Sequence, residues 1–171
     1  MLRRYTEDDF DDLYRLQSHP EVTRFLLYDI LSPEEVRASL AKRIVLPLLD
    51  SDGQGCTLAV THGETGAHLG EVLLMLVSRE QRTGEIGYVF HPEFHGHGYA
   101  FEAARELLRI GFGSLGLHRI VARLDARNAA SASLLKRLGL RQEAHFRRNE
   151  FLKGEWTDEL VFAMLADEWL G

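Results

Sequence analysis

The sequence has almost no cysteine, no long apolar run and no excess of positive charge. Its single cysteine, Cys56, has no partner in the chain for a disulfide or for a cysteine-based zinc site. No uninterrupted apolar stretch is long enough to span a bilayer, and the first residues lack the apolar core of a secretory signal. We therefore expect a cytoplasmic protein with no membrane partner.

Basic residues are too few for a surface that binds nucleic acid non-specifically. The chain has 20 Lys and Arg against 26 Asp and Glu, which gives a formal net charge of -6 at pH 7. Because such binding needs a broad positive field, we expect no nucleic-acid partner. The 171 residues contain no Pro- or Ser-rich linker and no internal repeat. This predicts a single domain over residues 1–171.

The spacing of apolar and turn residues predicts a mixed sheet with helices on both faces. Helices are expected after Thr6 and after Ser32, where capping side chains precede apolar positions, and again near Ala100 and Ala129. Strands are expected over 56–61, 69–77, 85–90, 118–124, 143–152 and 159–165. The predicted fold class is therefore α+β, a three-layer α/β arrangement with a mostly antiparallel sheet of about seven strands.

A glycine-rich loop joins the strand that ends at Phe90 to the following helix. It reads His95-Gly96-His97-Gly98-Tyr99-Ala100 and lies beyond the carboxyl end of a predicted parallel strand, where such units bind ligands. Two glycines at a helix N-terminus let backbone amides converge on an anion, and a diphosphate fits this geometry. The Lys-Ser/Thr of a nucleoside triphosphate loop is absent, and Phe101 replaces the third glycine of a dinucleotide fingerprint. A plain turn before a helix is the alternative.

The loop resembles the coenzyme A loop of the GNAT N-acetyltransferases, whose form is Gln/Arg-x-x-Gly-x-Gly/Ala. Gly98 and Ala100 occupy its small positions. The similarity extends over nearly the whole chain and looks closest to the ribosomal-protein N-acetyltransferase branch (RimJ/RimL-like). It rests on the shared order of short segments: His19-Pro20-Glu21-Val22-Thr23-Arg24, Gly87-Tyr88-Val89, Gly96 to Ala100 with Glu102-Ala103, Asn128-Ala129-Ala130-Ser131, Leu138-Gly139, and Gly154-Glu155-Trp156 with Asp158.

This resemblance implies that acetyl-CoA binds in a splayed gap between strands 85–90 and 118–124. Pantetheine would pair with backbone near Val89 and Phe90, and the diphosphate would lie on the amides of the loop 95–100. Asn128 would hydrogen-bond pantetheine, although its position just before a helix also suits an N-cap. Arg137 would meet a cofactor phosphate, with a solvated surface position as the alternative.

Two loop histidines, His95 and His97, stand where the family usually has basic or amide side chains. A neutral imidazole attracts phosphate less than a cation does. We therefore expect the affinity for coenzyme A to weaken between about pH 6 and pH 8, as the two histidines lose their charge. Calorimetric titration with coenzyme A across this range tests the prediction, and a dissociation constant that does not change with pH would contradict it.

Acetyl transfer needs a neutral amine and a group that meets the departing sulfur. Glu85 is the preferred base, acting through water, because the family often has a carboxylate on this strand; the alternative is a solvated carboxylate at a strand end. Glu71 and Asp125 are reserves. Many relatives have a tyrosine after the Asn, but none lies between Asn128 and Leu140. Ser131 is therefore expected to protonate or solvate the thiolate, with a plain first-turn serine as the alternative.

Four aromatic residues are interpreted as core or sheet-face residues, namely Tyr88, Phe146, Phe151 and Trp156. The histidines lack the spacing of a helix-borne metal site, so we expect no metal. The apolar arm Leu160 to Leu165 of the closing hairpin could add to the sheet of a second copy and form a homodimer.

The expected function is transfer of the acetyl group of acetyl-CoA to a primary amine by direct attack. The resemblance to the ribosomal-protein branch favours a protein N-terminal α-amine as acceptor, but small-molecule amines such as polyamines stay open. A non-catalytic protein that binds or senses acyl-CoA is the competing interpretation, and a mixed-sheet interaction domain is the third.

Overall fold

The computed structural model describes residues 1–45, 47 and 49–170. A seven-stranded sheet lies at its centre, with the strand order β1-β2-β3-β4-β5-β7-β6. β4 and β5 are parallel, and the other neighbouring pairs are antiparallel. The predicted mixed, mostly antiparallel sheet is therefore confirmed. The strands are Leu2–Arg3 (β1), Gly55–Thr61 (β2), His68–Ser78 (β3), Thr83–Phe90 (β4), Arg119–Asp125 (β5), Arg141–Leu152 (β6) and Glu155–Leu165 (β7).

Helices cover both faces of this sheet. They are Phe10–Gln17 (α1), Pro20–Thr23 (α2), Pro33–Ile44 (α3), Tyr99–Arg109 (α4) and Ala129–Arg137 (α5). Neighbouring residues of β2 point to opposite faces. Ala59 packs with residues of α1 and α3, while Val60 joins the larger core with α4 and α5. Within the described ranges, no helix is both long enough and apolar enough to cross a membrane.

The predicted helix boundaries form through local hydrogen bonds. Ser32 and Glu35 form a capping box, in which the Glu35 amide donates to the Ser32 hydroxyl and the Ser32 amide donates to the Glu35 carboxylate. The Thr6 amide donates to the Asp9 carboxylate at 2.7 Å, just before α1. Gly139 follows α5 with φ of +92°, the left-handed conformation expected of a glycine at this position.

β4 and β5 separate after a short parallel ladder. Their pairing runs from Thr83 opposite Arg119 to Glu85 opposite Val121, although β4 continues to Phe90 and β5 to Asp125. β4 remains paired with β3 as far as Phe90 opposite Gly70. A Cβ on Gly70 would lie 2.1 Å from the Val89 carbonyl oxygen, so glycine permits this close approach. The result is a gap between β4 and β5 at their carboxyl ends.

The closing hairpin corrects one sequence prediction and decides between the two parts of another. The arm Leu160 to Leu165 belongs to β7, which lies between β5 and β6 in the interior of the sheet. It therefore cannot pair with a second copy; the long free edge is β6, and a homodimer stays a prediction. Phe151 and Trp156 are 62% and 61% exposed and contact each other edge to face, and Phe146 is 45% exposed. These three aromatics lie on the exposed surface of the hairpin strands, which is the sheet-face part of the prediction, and not in the core.

Candidate active site

The loop between β4 and α4 presents a row of unoccupied backbone amides. The His95 amide donates to the Pro92 carbonyl, and the first bond of α4 runs from the Glu102 amide to the Gly98 carbonyl. Amides 96–101 donate to no carbonyl within the described part of the chain. Gly96 and Gly98 have φ values of +82° and +85°, and a Cβ at either would meet open space. The loop thus forms an open anion cradle with the positive end of the α4 dipole behind it.

The side chains around this cradle are aromatic and basic. His97 stacks on Tyr99 with ring centroids 5.7 Å apart. His95 Nε2 lies 3.2 Å from the Phe90 carbonyl oxygen at the end of β4. Arg137 extends from α5 to the first turn of α4, where its guanidinium lies 5.0 Å from the centre of the Phe101 ring. The structure therefore brings a cation of α5 beside the helix that follows the cradle.

Asn128 and Ser131 lie together at the start of α5. Asn128 Oδ1 accepts a hydrogen bond from the Ser131 amide at 3.1 Å, which is the N-cap geometry that the sequence allowed. The side-chain oxygen of Asn128 therefore caps the helix, and the side-chain NH₂ group is left to bind another molecule. Capping and ligand binding use different atoms of this side chain, so both roles are compatible.

Glu85 lies at the last paired position of the parallel ladder, on the edge of the gap. Its carboxylate is 3.6 Å from Arg123 Nε and 26% exposed. Arg123 also donates to buried Glu159 at 3.1 Å. Burial raises the pKa of Glu85, the Glu159 charge adds to this shift, and Arg123 opposes it. A carboxylate with a raised pKa is a better proton acceptor than an ordinary one.

The two reserve bases are held by arginines. Glu71 accepts hydrogen bonds from Arg43 Nε and Nη2, both at 2.7 Å, and a third from Tyr5 at 3.1 Å. Asp125 accepts hydrogen bonds from the backbone and side chain of Arg127. Burial raises the pKa of Asp125, but these bonds outweigh it and the pKa lies below its usual value. Asp125 is thus a poorer proton acceptor than Glu85, and the Glu71 oxygens are occupied by Arg43 and Tyr5.

The sequence interpretation missed a role for Tyr88. This β4 residue spans the gap to α5, where its hydroxyl lies 2.7 Å from Ser131 Oγ and donates to the Ser131 carbonyl at 3.2 Å. The family resemblance places a tyrosine in the segment after Asn128, and the sequence pattern assigns Tyr88 to packing. The position of Tyr88 on the strand that leads into the glycine loop is the sequence signal that could have indicated a role. Its contact with Ser131 depends on the fold.

Glu85 and Tyr88 face opposite sides of the sheet. They are three residues apart on one strand, and alternate side chains of a strand point to opposite faces. Tyr88 packs against the core beneath α4, so Glu85 points to the other face. A proton acceptor and a hydroxyl pair therefore flank the gap from its two sides, separated by about 10 Å along the strand.

A small pocket lies between the residues that follow α2, the residue before Asn128 and the turn between β6 and β7. Its volume is about 240 Å³, and its lining consists of Arg24, Phe25, Arg127, Leu152, Lys153 and Glu155. Lys153 donates to the Thr23 carbonyl at 2.7 Å, and the Arg24 guanidinium lies 5.0 Å from the centre of the Phe25 ring. Cationic side chains thus outnumber acidic ones in the lining.

Comparison with known sequences identifies the family. Residues 1–141 match the model of the acetyltransferase (GNAT) domain. An uncharacterized N-acetyltransferase, p20, from Bacillus licheniformis is 31% identical over 170 residues, which cover 99% of this chain and 94% of that protein. An Escherichia coli protein named [ribosomal protein uS5]-alanine N-acetyltransferase is 30% identical over 84 residues, 49% of this chain and 43% of its own length.

Solved structures show the same fold. A GNAT-family acetyltransferase from Bacillus anthracis superposes with a TM-score of 0.86 at 26% identity, covering 97% of this chain and 94% of the other. A spermidine N-acetyltransferase from Vibrio cholerae, solved with CoA and spermine, has a TM-score of 0.85 at 20% identity, covering 100% and 98%. At that identity the second match supports the fold alone.

The family match and the structural similarity confirm the predicted resemblance to the GNAT acetyltransferases, the fold class and the enzyme class. The expected cofactor is confirmed with them, because GNAT acetyltransferases use acetyl-CoA. The chain belongs to the GNAT family of acetyltransferases.

Proposed function

We propose that this enzyme acetylates a primary amine by direct attack on acetyl-CoA, and that its preferred acceptor is the α-amine of a peptide N-terminus. The observation that carries the proposal is the gap between β4 and β5, which opens beside a loop of unoccupied amides. When bound, the donor supplies a thioester: the amine nitrogen bonds to the acetyl carbon, the carbon–sulfur bond breaks with its electron pair on sulfur, and the amine loses one proton.

We assign the donor to the residues around the gap. The amides of Gly96, His97, Gly98, Tyr99 and Ala100 and the α4 dipole hold the diphosphate, and Arg137 supplies a cation nearby. The His95 amide, which the sequence prediction included, donates to the Pro92 carbonyl instead. The backbone near Val89 and Phe90 and the Asn128 NH₂ group bind pantetheine. The open space beside Gly96 and Gly98 supports this assignment, since a side chain there would fill the cradle.

Glu85 takes the proton of the amine, directly or through one water. At pH 7 an α-amine with a pKa of about 8 is roughly 10% neutral, whereas a lysine-type amine with a pKa of about 10.4 is only about 0.04% neutral. A single carboxylate with a raised pKa is therefore better matched to an α-amine than to a more basic amine.

Hydrogen-bond donors on the acceptor side also suit a peptide. Arg123 lies beside Glu85, and Arg24, Arg127 and Lys153 line the adjacent pocket. Arg123, Arg127 and Lys153 are each paired with a carboxylate, so they add little net positive charge. Their N–H groups can still donate hydrogen bonds to the carbonyls and carboxylates of a peptide. The likeness to the ribosomal-protein branch points to the same acceptor class.

Two sequence features favour a non-catalytic acyl-CoA-binding protein: the lack of a tyrosine after Asn128 and the histidines His95 and His97 in the loop. Tyr88 supplies a phenolic hydroxyl at Ser131 from strand β4. This contact supports catalysis and leaves the non-catalytic alternative with little to favour it.

The direct test measures thiol release from acetyl-CoA with a panel of amines, alongside calorimetric titration with coenzyme A. We expect release with short peptides that carry a free α-amine, slower release with spermidine, and none with peptides whose α-amine is blocked. Turnover of spermidine but not of peptides would contradict the acceptor assignment. Tight coenzyme A binding without release for any amine would favour the non-catalytic alternative, and no binding would contradict the whole proposal.

The Gly98→Val variant tests the anion cradle. Gly98 has φ of +85°, and an L-residue in this region costs about 1–2 kcal/mol, more when β-branched. Either the loop changes conformation or the new side chain occupies the cradle, so we expect coenzyme A to bind about tenfold more weakly or worse. Calorimetric titration measures the change. Gly63→Ala is the control, because Gly63 lies in a turn with open space around it and should leave the affinity unchanged.

A further inference from the structure

Tyr88 and Ser131 form a hydroxyl pair across the gap. Beyond Glu85 and Val121 no ladder pair joins β4 to β5 within the described residues, yet Tyr88 still connects β4 to α5 through the contact of 2.7 Å with Ser131 Oγ. The backbone of Ser131 is held in turn, because its amide donates to Asn128 Oδ1. The pair is half-buried, so water competes weakly for these hydrogen bonds.

The two hydroxyls carry two protons, and the hydrogen bond between them uses only one. Each hydroxyl carries one proton and can also accept. When Tyr88 donates to Ser131 Oγ, the Ser131 proton is free for a third atom. When Tyr88 donates to the Ser131 carbonyl instead, the Ser131 proton can bond back to the tyrosine oxygen. The pair can therefore switch between a closed arrangement and one that presents a donor to the gap.

We propose that Tyr88 is a positioning residue for Ser131: it donates to Ser131 Oγ, so that the Ser131 hydroxyl donates to the sulfur that departs from acetyl-CoA. This inference rests on the acetyltransferase function proposed above and adds a residue to it. Negative charge that develops on the sulfur is met by Ser131, and Tyr88 stabilises the polarised Ser131 oxygen.

The pair stabilises the sulfur without giving up a proton. Burial raises the pKa of Tyr88 to about 12, with the Ser131 hydrogen bond opposing the shift. Thiols have pKa values of about 8.5, so a thiolate is too weak a base to deprotonate this tyrosine. The sulfur leaves as a thiolate with the electron pair of the broken bond, the amine proton goes to Glu85 or water, and Tyr88 and Ser131 keep their protons.

The test measures the thiol of bound coenzyme A in the wild type and in Tyr88→Phe, Ser131→Ala and the double variant. Ultraviolet absorbance of the thiolate is recorded against pH with coenzyme A bound, and kcat is measured with a saturating peptide amine. In the wild type we expect the bound thiol to ionise at lower pH than free coenzyme A. Each single variant should move ionisation to higher pH and lower kcat about tenfold, with little change in the KM for the amine.

The double variant separates a coupled pair from two independent residues. Because Tyr88 acts through Ser131, we expect the double variant to resemble Ser131→Ala. The inference would be overturned if the decreases in kcat of the two single variants multiplied in the double variant. An unchanged kcat in Tyr88→Phe, or tighter binding of coenzyme A by that variant, would also overturn it. Tyr14→Phe is the control, since Tyr14 is on the surface of α1. If the wild type fails to bind coenzyme A, the proposed function itself fails. If the wild type binds coenzyme A and acetylates the amine, but Tyr88→Phe has the same kcat and the same thiol ionisation as the wild type, only this inference fails.

Discussion

Replacing Glu85 with Gln should lower kcat/KM for a peptide amine by about 100-fold or more, because a general base contributes about 10²- to 10⁴-fold to such reactions. Gln has nearly the same shape but cannot take a proton at neutral pH. Binding of coenzyme A should remain within about twofold of the wild type, since Glu85 makes no part of the anion cradle. Steady-state kinetics and calorimetric titration on the same preparations measure the two quantities.

The pH profile gives an independent test of the same residue. Glu85 accepts a proton only when it is ionised, and burial raises its pKa above the usual carboxyl value. Activity of the wild type should therefore fall as the pH drops through this raised pKa, at a higher pH than an ordinary glutamate would give. The Glu85→Gln variant should lack this acidic limb while the limb from deprotonation of the amine persists.

The matched control is Glu80→Gln in the turn before β4. Glu80 is exposed and precedes the first residue of β4, whereas the gap lies toward the carboxyl end of that strand. The same change of charge should therefore leave both kcat/KM and the pH profile unaltered. A Glu85→Gln enzyme with nearly full activity and an intact acidic limb would place the base elsewhere.

Local signals made most of the fold predictable from the sequence. Ser32 and Glu35 cap a helix through atoms that lie within one turn, and Gly139 needs only its own backbone freedom to end another. Apolar runs and alternation likewise located six of the seven strands in the described part of the chain, all but Leu2–Arg3, and the glycine loop located the cradle. In each case the determining contacts join residues close in sequence.

Contacts between distant residues were the part that could not be predicted. Tyr88 meets Ser131 across 43 positions of sequence, and Arg123 reaches Glu85 only because the parallel register sets Glu85 opposite Val121. The apolar arm Leu160 to Leu165 suits an interior strand as well as an edge strand, and pattern alone does not give the strand order. Register and strand order thus decided which candidate residues meet.

Removal of the Arg43 side chain should cause the largest loss of stability. Arg43 contacts Glu71 through Nε and Nη2, and the two side chains are only 17% and 8% exposed. The Arg43→Ala variant leaves a buried carboxylate without its cation, which costs about 3–5 kcal/mol. For a chain of this size that corresponds to a fall in Tm of roughly 6–20 °C. Thermal and urea unfolding at neutral pH measure the change.

A double variant, Arg43→Met with Glu71→Gln, separates the unpaired charge from the loss of packing. Both new side chains are neutral, and the Gln carbonyl can still accept the hydrogen bond that Tyr5 donates to Glu71. We therefore expect it to recover most of the stability lost in Arg43→Ala. A loss below about 1 kcal/mol in Arg43→Ala would mean that the Glu71 charge does not need Arg43.

The same double variant also decides whether Glu71 serves as a base. Glu71 lies on β3 opposite Val89, near enough to the gap to have been a reserve for Glu85. A Gln at position 71 removes any base there, while the neutral pair keeps the chain folded. Because Arg43 and Tyr5 already occupy the Glu71 oxygens, we expect activity within about twofold of the wild type below the Tm. A loss as large as that of Glu85→Gln would instead assign the proton to Glu71, and the arginine beside it would then have to release the carboxylate during turnover.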